Sequence, residues 1–239
     1  MRKMVPEVRA LTFDVFGTVV DWRGSIIAEG IGLGREKGIA VDWPKLADAW
    51  RAGYHPSMDR VRRGEIPWTG LDALHRMTLD RLLVDFEIGG LTEAEKDHLN
   101  RVWHRLRPWP DALPGLARLK QRYIIAPLSN GNVALLTNMA KNAGLPWDCI
   151  LSAELAHAYK PDPLAYQTAA ELLGLPPRQV MMVAAHQNDL RGAKAAGLRT
   201  AFVPRPAEYG EGRTLDLTPD PDFDVVATDF LDLARQLGA

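Results

Sequence analysis

The stretch "ALTFDVFGTVVDW", Ala10–Trp22, carries an aspartate to the end of a short apolar run and follows it at once with a glycine-threonine turn. The run before Asp14 contains residues typical of a buried strand. A carboxylate at the end of such a strand loses its hydration, so it needs hydrogen bonds or a cation to compensate. Asp14 is therefore the first candidate functional residue.

Apolar runs of this kind recur in the second half of the chain, with helical patterns between them. The helical segments Asn132–Gly144, Asp162–Gly174 and Asp189–Gly197 each end at a glycine, which is a common signal at helix C-termini. Alternation of strands and helices predicts an α/β fold, with a parallel sheet covered on both faces. The predicted strands are Arg9–Phe13, Tyr123–Leu128, Cys149–Ser152, Val180–Ala184, Thr200–Val203 and Asp224–Val226.

Residues 23–107 interrupt this alternation, because their apolar residues keep helical spacing and form no convincing strand. The segment "RPWPDALPG", Arg107–Gly115, then returns the chain to strands and helices. We predict an α/β core domain of residues 1–22 and 108–239, with an all-helical cap domain of residues 23–107 inserted after the first strand. Open α/β sheets bind ligands at the carboxyl ends of their strands. The cap is expected to cover that edge and exclude water.

The composition argues against several classes of function. A net charge of −1 provides no electrostatic reason to bind nucleic acid or an anionic membrane. No run of about 18 apolar residues is present to span a bilayer, and the first residues lack the apolar region of a signal peptide. The single cysteine, Cys149, cannot form an internal disulfide, which favours a cytoplasmic protein, and we interpret it as a buried core thiol.

Polar residues follow four of the predicted strands at the point where each strand ends. Asp14 follows the first strand, Ser129 and Asn130 the second, Lys160 the third after a short loop, and Asp189 the fourth. Each residue alone has an ordinary structural explanation, since aspartate and serine cap turns and helices and lysine is commonly exposed. Because the strands are expected to be parallel, these side chains converge on one crevice and predict an active site.

The motifs "DVFGT", "LSNG", "KPD" and "ND", in this order over essentially the whole chain, resemble the four motifs of the haloacid dehalogenase superfamily. The resemblance implies a Rossmann-like parallel sheet core with an inserted all-helical cap domain. It assigns the nucleophile to Asp14, the hydroxyl of the second motif to Ser129 and the lysine of the third to Lys160. Asp189 matches the final aspartate, and Thr18 matches the threonine of the first motif.

Two positions favour one branch of the superfamily over another. The magnesium-dependent phosphatases resemble one another in having a second aspartate two residues after the nucleophile, where it protonates the departing alkoxide. That position here is Phe16, which has no proton to donate. An acidic magnesium ligand four positions before the final aspartate is replaced by Ala185. A departing halide needs hydrogen-bond donors rather than a proton, so these residues favour cleavage of a carbon–halogen bond.

The chain is similar to the 2-haloacid dehalogenases, which need no metal and carry an aromatic residue at the position of Phe16. Their cap contains a Trp-Arg pair, matched by Trp50 and Arg51, and their tyrosine six residues after the lysine is matched by Tyr166. The resemblance implies hydrolytic dehalogenation of small 2-haloalkanoic acids, of the haloacetate or 2-halopropionate type, through an aspartyl ester. It implies no metal and no cofactor. In it, Arg51 binds the leaving halide, and Phe16 and Tyr166 belong to the substrate site.

The same resemblance implies further roles and partners. Ser129 and the amides around Asn130 bind the substrate carboxylate, and water positioned by Asp189 with Lys160 hydrolyses the ester. The expected partners are a haloacid and a halide ion, with no nucleic acid or membrane partner, and the resemblance suggests a homodimer. The expected location is the cytoplasm.

The fourth motif departs from this pattern, so several alternatives stay open. His186 stands where the similar enzymes have an asparagine. It either positions or deprotonates the hydrolytic water, or it is a hydrogen-bonded residue at the end of a strand. A phosphatase that has rebuilt its acid and metal ligand elsewhere, and a non-catalytic binding protein on this scaffold, are the competing functions. The segment "RPAEYGEGR", Arg205–Arg213, is interpreted as a surface loop.

Overall fold

The computed structural model describes residues 8–210 and 217–239. Its main sheet has six strands, and every neighbouring pair is parallel. The strands along the chain are β1 (Ala10–Phe13), β2 (Val20–Asp21), β3 (Arg107–Pro108), β4 (Ile124–Ser129), β5 (Leu151–Ser152), β6 (Val180–Ala184), β7 (Arg199–Phe202) and β8 (Val225–Val226). The sheet order is β5-β4-β1-β6-β7-β8. The six predicted strands are confirmed, with small shifts at their ends.

The position of β1 decides where a ligand can bind. Phe13, its last residue, pairs with Pro127 of β4 on one side and with Val183 of β6 on the other. The chain builds one half of the sheet outward from β1 to β5 and then crosses to build the other half from β6 to β8. Such a change of direction leaves a crevice at the carboxyl ends of the central strands. Asp14, the next residue after β1, stands at that crevice.

Helices fill the interval between β2 and β3 and cover the sheet. In the interval they are α1 (Trp22–Lys37), α2 (Trp43–Ala52), α3 (Tyr54–Arg62), α4 (Leu71–Asp85) and α5 (Glu93–Asn100), followed by a 3-10 turn at Arg101–His104. Beyond β3 they are α6 (Ala112–Leu119), α7 (Val133–Ala143), α8 (Ala153–Ala156), α9 (Pro163–Leu172), α10 (Gln187–Ala195) and α11 (Phe230–Leu237), with a 3-10 turn at Pro177–Gln179.

Residues of the central strands alternate between two apolar cores, one on each face of the sheet. Leu11 and Phe13 belong to the core that includes α6, α7 and α11, whereas Ala10 belongs to the core that includes α9 and α10. This alternation follows from the two-residue period of a strand. The prediction of a parallel sheet with helices on both faces is confirmed.

A two-stranded antiparallel ribbon marks the points where the chain leaves and re-enters the sheet region. Val20 of β2 pairs with Pro108 of β3, and Asp21 with Arg107. The helical character of residues 23–107 is confirmed, but two-residue strands have no detectable period, so the sequence did not predict the ribbon. The apolar core containing Phe13 continues into α2 through Trp50. The division into core and cap domains at residues 22 and 108 stays a prediction.

Two further predictions meet different outcomes. Cys149 is exposed, and its interpretation as a core thiol is wrong, because β5 begins only at Leu151 and the cysteine lies in the preceding turn. The glycine signals are confirmed, since Gly144, Gly174 and Gly197 all have positive φ after their helices. None of the helices in the described part of the chain is both long and apolar enough to cross a membrane.

We expect Gly144→Ala to lower the free energy of unfolding by about 1 kcal/mol, because alanine is strained at the left-handed φ of 69° with which Gly144 ends α7. Gly32→Ala is the matched control. Gly32 lies inside α1, and a Cβ added there, as at Gly144, would meet no atom within 4 Å, so the same change should stabilise by roughly 0.5–1 kcal/mol. Urea unfolding measures both, and equal effects would contradict the conformational explanation.

Candidate active site

A cavity of about 360 Å³ opens at the carboxyl ends of β1, β4 and β6, and residues of α2 and α3 form its opposite wall. It confirms that the polar strand ends converge. Three predicted site residues, Thr18, Ser129 and Tyr166, are fully buried behind the lining. The predicted residues that line the cavity are Asp14, Phe16, Arg51, Asn130, Lys160, His186 and Asp189.

The buried ammonium of Lys160 lies between two carboxylates. Its Nζ donates to Asp14 Oδ1 at 3.1 Å and to Asp189 Oδ2 at 2.5 Å. Burial by itself raises the pKa of Asp14, but the charge of Lys160 and a hydrogen bond from His186 outweigh it and hold that pKa well below its usual range. Burial keeps the pKa of Asp189 raised despite Lys160. Asp14 is therefore an ionised carboxylate, whereas Asp189 is the better proton acceptor.

The turn after β1 fixes the orientation of Asp14. Thr18 Oγ1 donates to Asp14 Oδ2 at 2.7 Å and accepts a hydrogen bond from the Ala185 backbone N–H at 2.9 Å. The Asp14 backbone N–H donates to the Val183 carbonyl at 3.0 Å. The nucleophile candidate is thus tied to both β1 and the end of β6.

Asn130 holds the loop that carries Lys160, and Ser129 holds the turn after β4. The Lys160 backbone N–H donates to Asn130 Oδ1 at 2.7 Å, which places the lysine over the end of β4. Ser129 Oγ accepts from the Gly131 backbone N–H at 3.1 Å. The contact of these residues with a substrate carboxylate stays a prediction.

Tyr166 contacts a catalytic candidate instead of the cavity. Its hydroxyl donates to Asp189 Oδ1 at 2.6 Å and lies 3.1 Å from the Asp189 carbonyl. Burial raises the pKa of Tyr166, so the phenol keeps its proton for this hydrogen bond. The resemblance placed Tyr166 with the substrate, whereas in the structure α9 directs it against α10 and it is 0% exposed.

Both ring nitrogens of His186 face carboxylates. Nδ1 lies 2.8 Å from Asp14 Oδ2, and Nε2 lies 2.9 Å from Glu208 Oε2. Burial favours the neutral ring, but Glu208 and Asp14 outweigh it and raise the pKa of His186 to about 10. The ring is an imidazolium that donates from both nitrogens. An imidazolium has no lone pair with which to deprotonate water, so the two carboxylate contacts favour a donor role for His186, and its part in hydrolysis stays a prediction.

Glu208 is a site residue that the sequence analysis missed. The interpretation of Arg205–Arg213 as a surface loop is wrong for Arg205 and Glu208, which are 8% and 2% exposed, and residues 211–213 lie outside the described part. Arg205 anchors the segment, because it forms a two-pronged ion pair with Asp111 and donates to the Thr18 carbonyl. The available signal was topological: this loop follows β7 at the same edge of the sheet.

The Glu208 carboxylate is surrounded by residues of the site and is not exposed to solvent. Its Oε1 accepts from Trp22 Nε1 at 3.0 Å and lies 4.0 Å from Arg51 Nη2. A Cβ on Gly17 would come within 2.2 Å of the same oxygen, and Gly17 also has a positive φ of 84°. The glycine of the first motif is therefore required both by its turn and by the close approach of Glu208.

Arg51 and Phe16 give the cavity a cationic corner beside an aromatic wall. The guanidinium of Arg51 lies over the ring of Tyr54 at 4.3 Å, and its Nη1 is buried without a hydrogen-bond partner in the described residues. Such a donor is suited to an anion. Phe16 is 2% exposed and packs edge-on against Trp103 at 5.5 Å. Across residues 8–210 and 217–239, no group of three or more His, Cys, Asp or Glu side chains is arranged to hold a metal ion.

Comparison with known proteins identifies the class to which this fold and site belong. A family model described as haloacid dehalogenase-like hydrolase matches residues 8–197. The chain belongs to this family of hydrolases, as its motifs indicated.

Particular relatives are similar over nearly the whole chain. The crystal structure of the L-2-haloacid dehalogenase PA0810 is 51% identical, with a TM-score of 0.91, and the match covers 96% of this chain and 99% of that one. The defluorinating L-2-haloacid dehalogenase Rha0230 is 47% identical, with a TM-score of 0.95, over 100% of both chains. The (S)-2-haloacid dehalogenase 4A of Burkholderia cepacia is 32% identical over 222 residues, 86% of this chain and 88% of its own. Phosphatases also match the chain.

Nitrogen NMR of the free protein should show N–H protons on both nitrogens of His186 at neutral pH, with loss of one near pH 10. The signal is assigned by its absence in His186→Asn. Because the folded pKa is raised, the paired imidazolium stabilises the fold fully below the ordinary value of 6.5, and this contribution is lost as the pH rises through about 10. A titration midpoint near 6.5 would contradict the double ion pair.

Proposed function

We propose that this chain hydrolyses small 2-haloalkanoic acids, of the haloacetate or 2-halopropionate type, without a metal, through an ester on Asp14. The observation that carries the proposal is the setting of Asp14. Its carboxylate is kept ionised by Lys160 and stands beside the apolar ring of Phe16, where a phosphatase would need a proton donor. The sequence similarity to 2-haloacid dehalogenases supports the same reaction.

In the first half-reaction the Asp14 carboxylate attacks the carbon that bears the halogen. A carbon–oxygen bond forms, and the halide leaves with the electron pair of the broken carbon–halogen bond. Arg51 binds the departing anion, an assignment supported by its position in the cavity wall and by its unpartnered Nη1. Phe16 and Tyr54 line the path and fit a short carbon skeleton rather than a polar leaving group.

Binding of the substrate carboxylate is assigned to the end of β4. Asn130 lines the cavity, and Ser129 orders the Gly131 backbone immediately before α7. The start of a helix favours an anion, but at α7 the Val133 N–H already donates to Glu154 Oε2 at 2.8 Å, so the assignment rests on the Asn130 side chain in the cavity wall.

In the second half-reaction Asp189 accepts a proton from the water that attacks the ester. Its raised pKa suits that role, and Lys160 and Tyr166 hold its two oxygens. Hydrolysis releases the 2-hydroxy acid and regenerates Asp14. We also place the enzyme in the cytoplasm, because its only cysteine cannot form an internal disulfide. The homodimer stays a prediction.

A magnesium-dependent phosphatase is the second candidate, because phosphatases occur among the matching relatives. Phe16 and Ala185 argue against it, since neither can supply the acid or the metal ligand that the reaction uses. The presence of Lys160, Asp189 and Arg51 together around Asp14 argues against a non-catalytic binding protein.

Halide release should be measured with chloro-, bromo- and fluoroacetate and with both 2-chloropropionate enantiomers, in the presence of EDTA. We expect release by the wild type and none by Asp14→Asn, because the amide cannot act as the nucleophile. A parallel assay uses a generic phosphate ester with magnesium. Magnesium-dependent phosphate release without halide release would establish the phosphatase instead.

Arg51→Lys should lower kcat/KM for halide release by roughly 10- to 100-fold, because a charged hydrogen bond to the halide is worth about 1.5–3 kcal/mol and lysine lacks the planar donor pair. Arg60→Lys is the matched control. Arg60 lies on α3 close to Arg51 in sequence, but its side chain is 49% exposed, so its activity should stay at the wild-type level. Equal losses in the two variants would contradict the halide assignment.

A further inference from the structure

The two oxygens of Asp14 have different surroundings. Oδ2 accepts hydrogen bonds from Thr18 Oγ1 at 2.7 Å and from His186 Nδ1 at 2.8 Å. In the described residues Oδ1 has one donor, Lys160 Nζ, at 3.1 Å. A carboxylate oxygen has lone pairs for about two donors. Oδ2 is therefore saturated, whereas Oδ1 keeps a lone pair for attack on carbon.

This difference assigns the attack on carbon to Oδ1 and the carbonyl oxygen of the ester to Oδ2. If Oδ1 forms the bond to the substrate, Oδ2 becomes the carbonyl oxygen of the ester and already faces two donors. When water adds to the ester carbon, negative charge develops on Oδ2. Donors placed 2.7–3.1 Å from an oxygen that becomes an oxyanion are the geometry that stabilises a tetrahedral intermediate. The Thr18 and His186 donors lie within that range.

Glu208 determines the orientation and charge of one of these donors. Both of its oxygens lie 2.9–3.0 Å from His186 Nε2, so Nδ1 points at Asp14. The Glu208 side chain is 3% exposed and is held by Trp22 and by its close approach to Gly17. The imidazole ring is thus fixed between two carboxylates.

We propose that Glu208 is a positioning residue for hydrolysis of the ester, an inference that rests on the proposed function. It holds His186 so that His186 Nδ1 and Thr18 Oγ1 bind the ester carbonyl oxygen. His186 is accordingly a catalytic residue of the second half-reaction, in which it donates a hydrogen bond and takes up no proton.

The step balances with the groups present. A bond forms between the water oxygen and the Asp14 carboxyl carbon, the carbonyl electron pair moves to Oδ2, and one water proton passes to Asp189. On collapse the bond from the carboxyl carbon to Oδ1 breaks. Oδ1 takes the proton from Asp189 and leaves as the product hydroxyl, while the second water proton is released to solvent as the Asp14 carboxylate re-forms.

Loss of the Glu208 charge should affect the two half-reactions in opposite directions. Ester formation neutralises Asp14, so Glu208 alone then favours the imidazolium, and without it the donor to Oδ2 becomes a weaker, neutral N–H. In the first half-reaction a less charged His186 leaves the Asp14 carboxylate more nucleophilic. Removal of the negative charge 4.0 Å from Arg51 also favours the departing halide. The ester should therefore accumulate.

The test is rapid-quench mass spectrometry of the full chain with chloroacetate and (S)-2-chloropropionate, alongside the rate of halide release. In Glu208→Gln we expect a halide burst of about one per protein, a covalent adduct mapped to Asp14, and hydrolysis slowed about tenfold relative to alkylation. In His186→Ala hydrolysis should slow by about 10²–10³-fold, the cost of losing one oxyanion donor. His186→Asn keeps a neutral N–H and should accumulate less adduct than His186→Ala.

Glu171→Gln, on the exposed face of α9, is the matched control and should turn over like the wild type without an adduct. Equal slowing of both half-reactions in the Glu208 and His186 variants, with no adduct, would reduce Glu208 to a structural role and overturn the inference. If Glu208→Gln does not fold, the two His186 variants decide the question by the same measurements. Absence of halide release by the wild type would refute the proposed function, and the inference with it.

Discussion

The site depends on one buried cation, the ammonium of Lys160. Two carboxylates, Asp14 and Asp189, occupy the same cavity, and each would be costly to bury as an anion without compensation. Lys160 contacts both, at 3.1 Å and 2.5 Å, and is itself only 5% exposed. The parallel pairing of β1 with β6 brings the two acids to one edge, and Asn130 brings the lysine loop over them. Removal of the ammonium would leave Asp189 without its cationic partner and Asp14 with His186 alone, which raises the free-energy cost of keeping both carboxylates ionised.

A continuous alternation of charge extends from this centre into the cap helices. Every carboxylate in this series contacts at least one cation, and every cation contacts at least one carboxylate. No charge is therefore buried without an opposite charge beside it. The order of contacts is Asp189, Lys160, Asp14, His186, Glu208 and Arg51. Alternation of this kind makes the site sensitive to a change at one member. Alkylation neutralises Asp14, so Lys160 and His186 each lose an ion pair with a negative charge.

The aromatic wall determines which chemistry the charges serve. Phe16 packs against Trp103 and Tyr54, so the cap residues and the first motif together exclude water from one side of Asp14. Water exclusion strengthens the interaction of Arg51 with an anion, because the effective dielectric constant falls. The Arg51 donor comes from α2 in the inserted helices, whereas the nucleophile comes from the end of β1. The site is complete only when these two parts of the chain face one another.

The sequence by itself determined the parallel sheet, the helical insertion, and the convergence of Asp14, Lys160 and Asp189. Hydrophobic periodicity and the position of a residue at the end of a strand are local features of the sequence. In a parallel sheet, residues at the carboxyl ends of neighbouring strands lie close together. Phe16 argues against phosphoryl transfer instead through the resemblance of the first motif to that of the magnesium-dependent phosphatases. Tertiary structure alone decided the partners of His186 and of Tyr166. Glu208 lies in a polar, glycine-containing segment whose local pattern is that of a surface loop. It is buried because Arg205 anchors the segment to Asp111 and Gly17 leaves room for the carboxylate, and these contacts join residues that are far apart in the chain.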